Sequence, residues 1–181
     1  DVGISSFTIT SEREHQVNMV SYLNVGSAWG VAAGNPKNFD PSEPCGATIA
    51  VQTGTAQEEY AATLSKECVA SGKSKITVMP HELQTDIATK LIGGQYDATL
   101  ADSTVIGYAS SQSAGKIEQL GDTFESAPQG VAIAKDDAQL TEAIQKSMQY
   151  LMDNGYLKDI LATYGADNAA LTTADLNPHV D

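Results

Sequence analysis

Between residues 47 and 122 the chain alternates short apolar runs with longer stretches in which apolar side chains recur every three or four positions. The runs ATIAVQT (47–53), KITVM (75–79) and YDATLA (96–101) have the length and content of buried strands. Between the first two, residues 55–71 form a predicted helix with Tyr60, Leu64 and Cys68 four apart. Next, HELQTDIATKLIGG sets Leu83, Ile87 and Leu91 on one helical face, and Gly93-Gly94 ends it. Asp102 to about Ser111 predicts another helix, and GKIEQL one more short strand. Strands alternating with helices indicate parallel pairing, so the expected fold class is α/β.

The flanks read differently. VGISSFTIT (2–10) is a β-type run, SEREHQV one or two helical turns, and VNMVSYL and SAWGVAA two short extended segments. GNPKNFDPSEP is a Gly/Pro/Asn connector where composition shifts. After ESAPQ, GVAIAK predicts a strand. Residues 137–153 then predict an amphipathic helix with Leu140, Ile144, Met148 and Leu151 on one stripe, stopped by Asn154-Gly155. A second helix runs to about Tyr164, with Gly165 after it, and the polar tail 166–181 is expected to be loose. Residues 34–127 are thus expected to form one complete lobe, and 1–33 with 128–181 a second. Crossovers are expected near 32–36 and 124–130.

Composition narrows the function classes. An apolar fraction of 41% supports a packed core. No run reaches the ~18–20 apolar residues of a membrane span. A formal charge of −13 with no basic stripe argues against nucleic acid and against anionic membrane surfaces. The acidity itself reads as solubility. The chain begins at DVGISS without a Met, as a mature or trimmed polypeptide would. Cys45 and Cys68 are too few for a Cys-based zinc site. They are either two buried thiols or one disulfide. The disulfide is the expectation; it would contribute roughly 3 kcal/mol and imply an oxidising compartment.

Three constellations carry candidate chemistry. Arg13, the single arginine, follows Ser11, which with Glu14 makes a capping-box signal. A guanidinium fork suits a carboxylate, although a surface arginine paired with Glu12 or Glu14 is the plainer reading. In VQTGTAQEEY, Thr55 predicts an N-cap with Glu58 as its reciprocal acid. The N–H groups of Ala56 and Gln57 at that helix start can bind an anion, or simply belong to a capped helix. Asp102 ends a strand at the carboxyl edge of a parallel sheet, where it can meet an ammonium group or merely cap the next helix. Together the three suit a small zwitterion. His15, His81 and His179 have no metal-pair spacing and read as surface residues, and no metal or cofactor is expected. No nucleophile elbow is present, and Trp29 reads as core or hinge packing.

The stretches FTITSER, VSYLNVG, IAVQTGTAQE, LIGGQYDATLADS and PQGVAIAKDDAQLTEAIQKSMQYLMDNGYLKDILATYG resemble, in order, the bacterial extracytoplasmic solute-binding proteins that deliver polar amino acids to ABC importers. The Cys45/Cys68 placement is similar to the disulfide-bearing actinobacterial branch. The resemblance implies a type II periplasmic-binding-protein fold, two α/β lobes closing on the ligand, with the first lobe incomplete because members carry a segment ahead of the strand that begins here. It implies that Arg13 and Thr8 contact the ligand carboxylate, that the Ser6 carbonyl takes the ammonium, that Ala56 beside Thr55 offers an N–H, and that Asp102 pairs with the ammonium. Gln52 and Ala101 match positions near the ligand side chain. Implied partners are a free amino acid and the importer permease, in an extracytoplasmic setting, either as a surface lipoprotein or in a periplasm-like space. A receptor sensing domain and a dehydratase on the same scaffold are the alternatives. An enzyme needs a general acid or base, and the matched positions hold no histidine.

Overall fold

The computed structural model describes residues 1–164 and 166–179. The expected helix stop at Gly165, and the last two residues of the tail, lie outside the described residues. By internal packing the chain divides into two compact units, Asp1–Val25 with Ser126–Asp181, and Gly26–Glu125. Both divisions fall inside long strands.

The second unit is built on β3 (Thr48–Gln52), β4 (Thr77–His81) and β5 (Ala98–Asp102). β3 is parallel to both β4 and β5, as the βαβ alternation predicts. The distal half of β2 (Val17–Ala32) pairs antiparallel with β5, Ser27 opposite Asp102 and Ala28 opposite Ala101. Helices α2 (Ala56–Ala70), α3 (Gln84–Ile92) and α4 (Ser103–Gln112) follow the three parallel strands in turn. Alternate residues of the central strands feed two cores. Ile49, Val51 and Leu100 join Trp29 and Phe39 on one face. Ala50 and Ala101 join Ile87, Leu91 and Ile106 on the other. That alternation is the two-residue period of a strand buried on both sides. Burial of Ile87 and Leu91 alone contributes about 1.5–3 kcal/mol each. Leu83, expected on the same stripe, is 58% exposed, because α3 starts one residue later and Leu83 stands at its N-cap.

Trp29 is a core residue, its ring centroid 5.1 Å from that of Phe39 and 6.2 Å from that of Phe124. Cys45 and Cys68 form the expected disulfide, with Cα atoms 5.6 Å apart, tying the connector to the last turns of α2.

The first unit holds β1 (Val2–Gly3), α1 (Ser11–Gln16), the proximal half of β2, the distal half of β6 (Ile117–Ala134), α5 (Ala138–Asp153) and α6 (Tyr156–Ala162). β1 pairs antiparallel with β6, Val2 opposite Ile133. Val20, Leu23, Val131 and Ile133 form its core with Met148 and Leu157, and Leu140, Ile144 and Leu151 pack at its margin as the stripe predicts.

Four expectations for the flanks are corrected. The β-type run 2–10 is mostly irregular: only Val2–Gly3 is a strand, with one bridge from Thr8 to Gln129. The two extended segments before residue 33 are a single strand, β2. GKIEQL and GVAIAK are also one strand, β6, running through ESAPQ. The tail is docked rather than loose. Leu176 and Ala170 bridge Val20 and Leu23, and Asn177 exchanges bonds with both backbone groups of Met19 at 2.8 Å each. Ala174 is buried between the amides of Gln145 and Gln149, which reach its carbonyl and its N–H.

Candidate functional site

The helix start after β3 is built by local chemistry. Gly54, at φ +75°, makes the left-handed turn from strand to helix that a side chain would strain. Thr55 caps α2, its Oγ1 accepting from the Glu58 N–H at 3.2 Å and donating to the Gln52 carbonyl at 2.7 Å. Glu58 reaches back to the N–H of Gly54 at 2.7 Å, completing a reciprocal cap. The first-turn N–H groups of Ala56 and Gln57 have no partner within the helix itself. They carry the positive end of its dipole.

Asp102 ends β5 and stands at the N-cap of α4, but its side chain makes no capping bond there. It is also buried: only 8% of it is accessible. Its Oδ1 accepts from Gln57 Nε2 at 2.8 Å, and the same nitrogen donates to Ser27 Oγ at 3.0 Å. Gln57 is the residue after Ala56. The unit therefore brings the α2 start and Asp102 into one polar cluster; sequence reasoning missed Ser27 and the side chain of Gln57, which it named only for its N–H. The only signal for Gln57 was its place in the first helical turn. Ala101 is buried beside Asp102 on the strand. Gln52 turns instead to the carbonyl of Glu82, donating at 3.1 Å.

In the other unit, Thr10 rather than Ser11 caps α1, accepting from the Arg13 N–H at 3.2 Å. The Arg13 guanidinium folds back so that Nη1 donates to the Thr8 carbonyl at 2.7 Å. Thr8 is held to the unit by its neighbours: the Ile9 N–H donates to Pro128 and the Phe7 carbonyl accepts from Gly130. Phe7 N–H also donates to the Ser5 carbonyl, a tight turn with exposed Ser6 at its apex. Ser6, Thr8 and Arg13 thus share one corner of their unit.

Of the histidines, His15 and His179 are exposed as expected. His81 is not a plain surface residue: it is half-buried, its Nε2 2.6 Å from the Tyr96 hydroxyl. Among the described residues no cluster could hold a metal ion, and no helix is long and apolar enough to cross a membrane.

Residues 1–167 match the bacterial extracellular solute-binding proteins, family 3. The chain belongs to this family. It is 36% identical over 178 residues to the arginine-binding protein ArgT of Corynebacterium glutamicum, covering 98% of this chain and 58% of that protein. The chain therefore spans little more than half the length of that relative. Among solved structures, a mutant of the arginine-binding protein ArgBP of T. maritima superposes with a TM-score of 0.79 at 25% identity, over 91% of this chain and 68% of that one. An ancestral arginine-binding protein bound to arginine gives 0.78 at 25% identity, over 91% and 71%. These likenesses identify the α/β architecture as that of the type II periplasmic binding proteins.

Proposed function

We propose that the protein binds a free amino acid outside the cytoplasmic membrane and delivers it to the permease of an ABC importer. The observation that carries this reading is Asp102. A buried carboxylate is kept only where hydrogen bonds and opposite charges offset its desolvation, and a ligand ammonium is such a charge. Here it does not cap its own helix, and it lies in one cluster with a helix start suited to an anion. In this reading Asp102 takes the ligand ammonium together with the Ser6 carbonyl. Arg13, Thr8 and the Ala56 N–H, beside Thr55, take the carboxylate. Gln52 and Ala101 border the ligand side chain. The compact unit Gly26–Glu125 serves as the second lobe, and Asp1–Val25 with Ser126–Asp181 as the part of the first lobe present here.

The names of the relatives make arginine the first ligand to test, and a net charge of −13 favours the approach of a cation. The Cys45–Cys68 disulfide supports an oxidising, extracytoplasmic setting. In this reading the protein recognises its ligand by charge-assisted hydrogen bonds, with no covalent step. A thermal-shift panel of the twenty amino acids against the full-length protein tests it. A ligand of the folded state raises the melting temperature. Arginine is expected to do so in the parent and not in Arg13→Ala; a panel in which no amino acid moves the parent overturns the reading.

A further inference from the structure

We propose that Gln57 is a positioning residue for Asp102, holding the carboxylate in the orientation that meets the ligand ammonium. The proposal rests on the reading that Asp102 is the ammonium partner.

The cluster has the features of a built site. Gln57, Asp102 and Ser27 are 7%, 8% and 8% accessible, so each polar group must find its partners inside the protein. The Gln57 amide has two protons on Nε2, and two acceptors lie in reach, Asp102 Oδ1 at 2.8 Å and Ser27 Oγ at 3.0 Å. The opposite orientation of the amide would turn its carbonyl oxygen onto an ionised carboxylate, which is repulsive. An amide bonded only to Asp102 could swing with it. The second bond to Ser27 anchors the amide to β2, where Ser27 stands directly opposite Asp102 in the antiparallel pairing. The carboxylate is planar, so fixing Oδ1 fixes the direction of the second oxygen as well.

The donor's place in the chain adds a second consequence. Gln57 follows Ala56, whose N–H is assigned to the ligand carboxylate. One side chain therefore sets the spacing between the group that receives the ammonium and one that receives the carboxylate. The bond spans 45 residues and joins two elements, α2 and the β5–α4 junction, that could otherwise shift independently. Preorganisation of this kind improves binding by removing the cost of ordering the site when the ligand arrives.

The test uses Gln57→Met, which keeps length and removes the donors, and Ser27→Ala, which removes only the anchor. Calorimetry measures affinity for arginine and for its deaminated analogue, a guanidino carboxylic acid with no ammonium group. Gln57→Met is expected to weaken arginine about tenfold or more, the scale of one charge-assisted bond, and to weaken the analogue, which keeps only the carboxylate, by clearly less. Ser27→Ala should move arginine in the same direction by less. Independently of any ligand, the Asp102 carboxyl is titrated by carbon NMR. Loss of a donor to the ionised form should raise its midpoint in Gln57→Met. Equal losses for both ligands, or an unmoved Asp102 midpoint, overturn the proposal. Should the parent bind no amino acid, the transport reading fails while the titration still decides the role of Gln57. Should Gln57→Met fail to fold, the same measurements on Ser27→Ala decide.

Discussion

Arg13 Nη1 donates to the carbonyl oxygen of Thr8 at 2.7 Å, folding the guanidinium onto the segment that precedes its own helix. The bond sets the direction of the fork against the Ser6–Thr8 corner, where lysine's single ammonium cannot reproduce the planar geometry. Arg13→Lys is expected to weaken amino-acid binding at least about tenfold, and Arg13→Ala further. Neither should cost more than about 1.5 kcal/mol of stability, the net scale of a hydrogen bond such as the one to Thr8, because the half-buried side chain lies outside the core. Calorimetry and thermal melting on the same samples separate the two effects; a large fall in melting temperature would make Arg13 a structural residue.

Gly130 has no room for a side chain. A Cβ there would meet Ile9 Cδ1 at 2.9 Å and the backbone oxygen of Val20 at 3.1 Å, and the backbone cannot yield as a side-chain tip can. Gly130→Ala should destabilise the first unit by about 1–3 kcal/mol, read from urea unfolding. An unchanged midpoint would mean that β6 and the Ile9 segment are not packed as described.

The Cys45–Cys68 bridge closes a separation of 23 residues. Replacing both cysteines by serine should cost roughly 3 kcal/mol, and reducing agent should cost the parent a similar amount while leaving the variant unaffected. Matching unfolding curves for parent and variant without reductant would contradict the pairing.

Tyr60 packs its ring 5.4 Å from Phe124, and burial, with Glu125 and Glu67 nearby, raises its phenol above the usual 10.0. A raised pKa means that the fold favours the neutral phenol. The contribution is complete below pH 10.0 and is lost as pH rises through the folded value. The parent should therefore lose melting temperature more steeply than Tyr60→Phe as the pH rises past that point. Parallel declines would show that the phenol does not report the fold.

What the sequence revealed, and what it hid, follows from the range of the interactions. The cap at Thr55 and Glu58 and the apolar stripe of α5 are local patterns, and both stand where spacing placed them. The α1 cap moved by one residue because Thr10 and Ser11 are chemically alike, and only backbone geometry selects between them. The tail looked loose because its attachment uses backbone bridges and Asn177, which leave no apolar period. β2 looked like two strands because exposed Asn24 interrupts its apolar run. Gln57 was invisible as a partner of Asp102, since nothing local links residues 45 apart.

The central claim is that Asp102 reads the ammonium group of a free amino acid, and the most direct measurement is a calorimetric titration of arginine into the full-length parent and into Asp102→Asn. The variant keeps the shape and removes the charge. We expect binding in the parent and an affinity lower by about 30-fold or more in the variant, the cost of losing one side of a buried charge pair. Equal affinities in the two proteins would contradict the account.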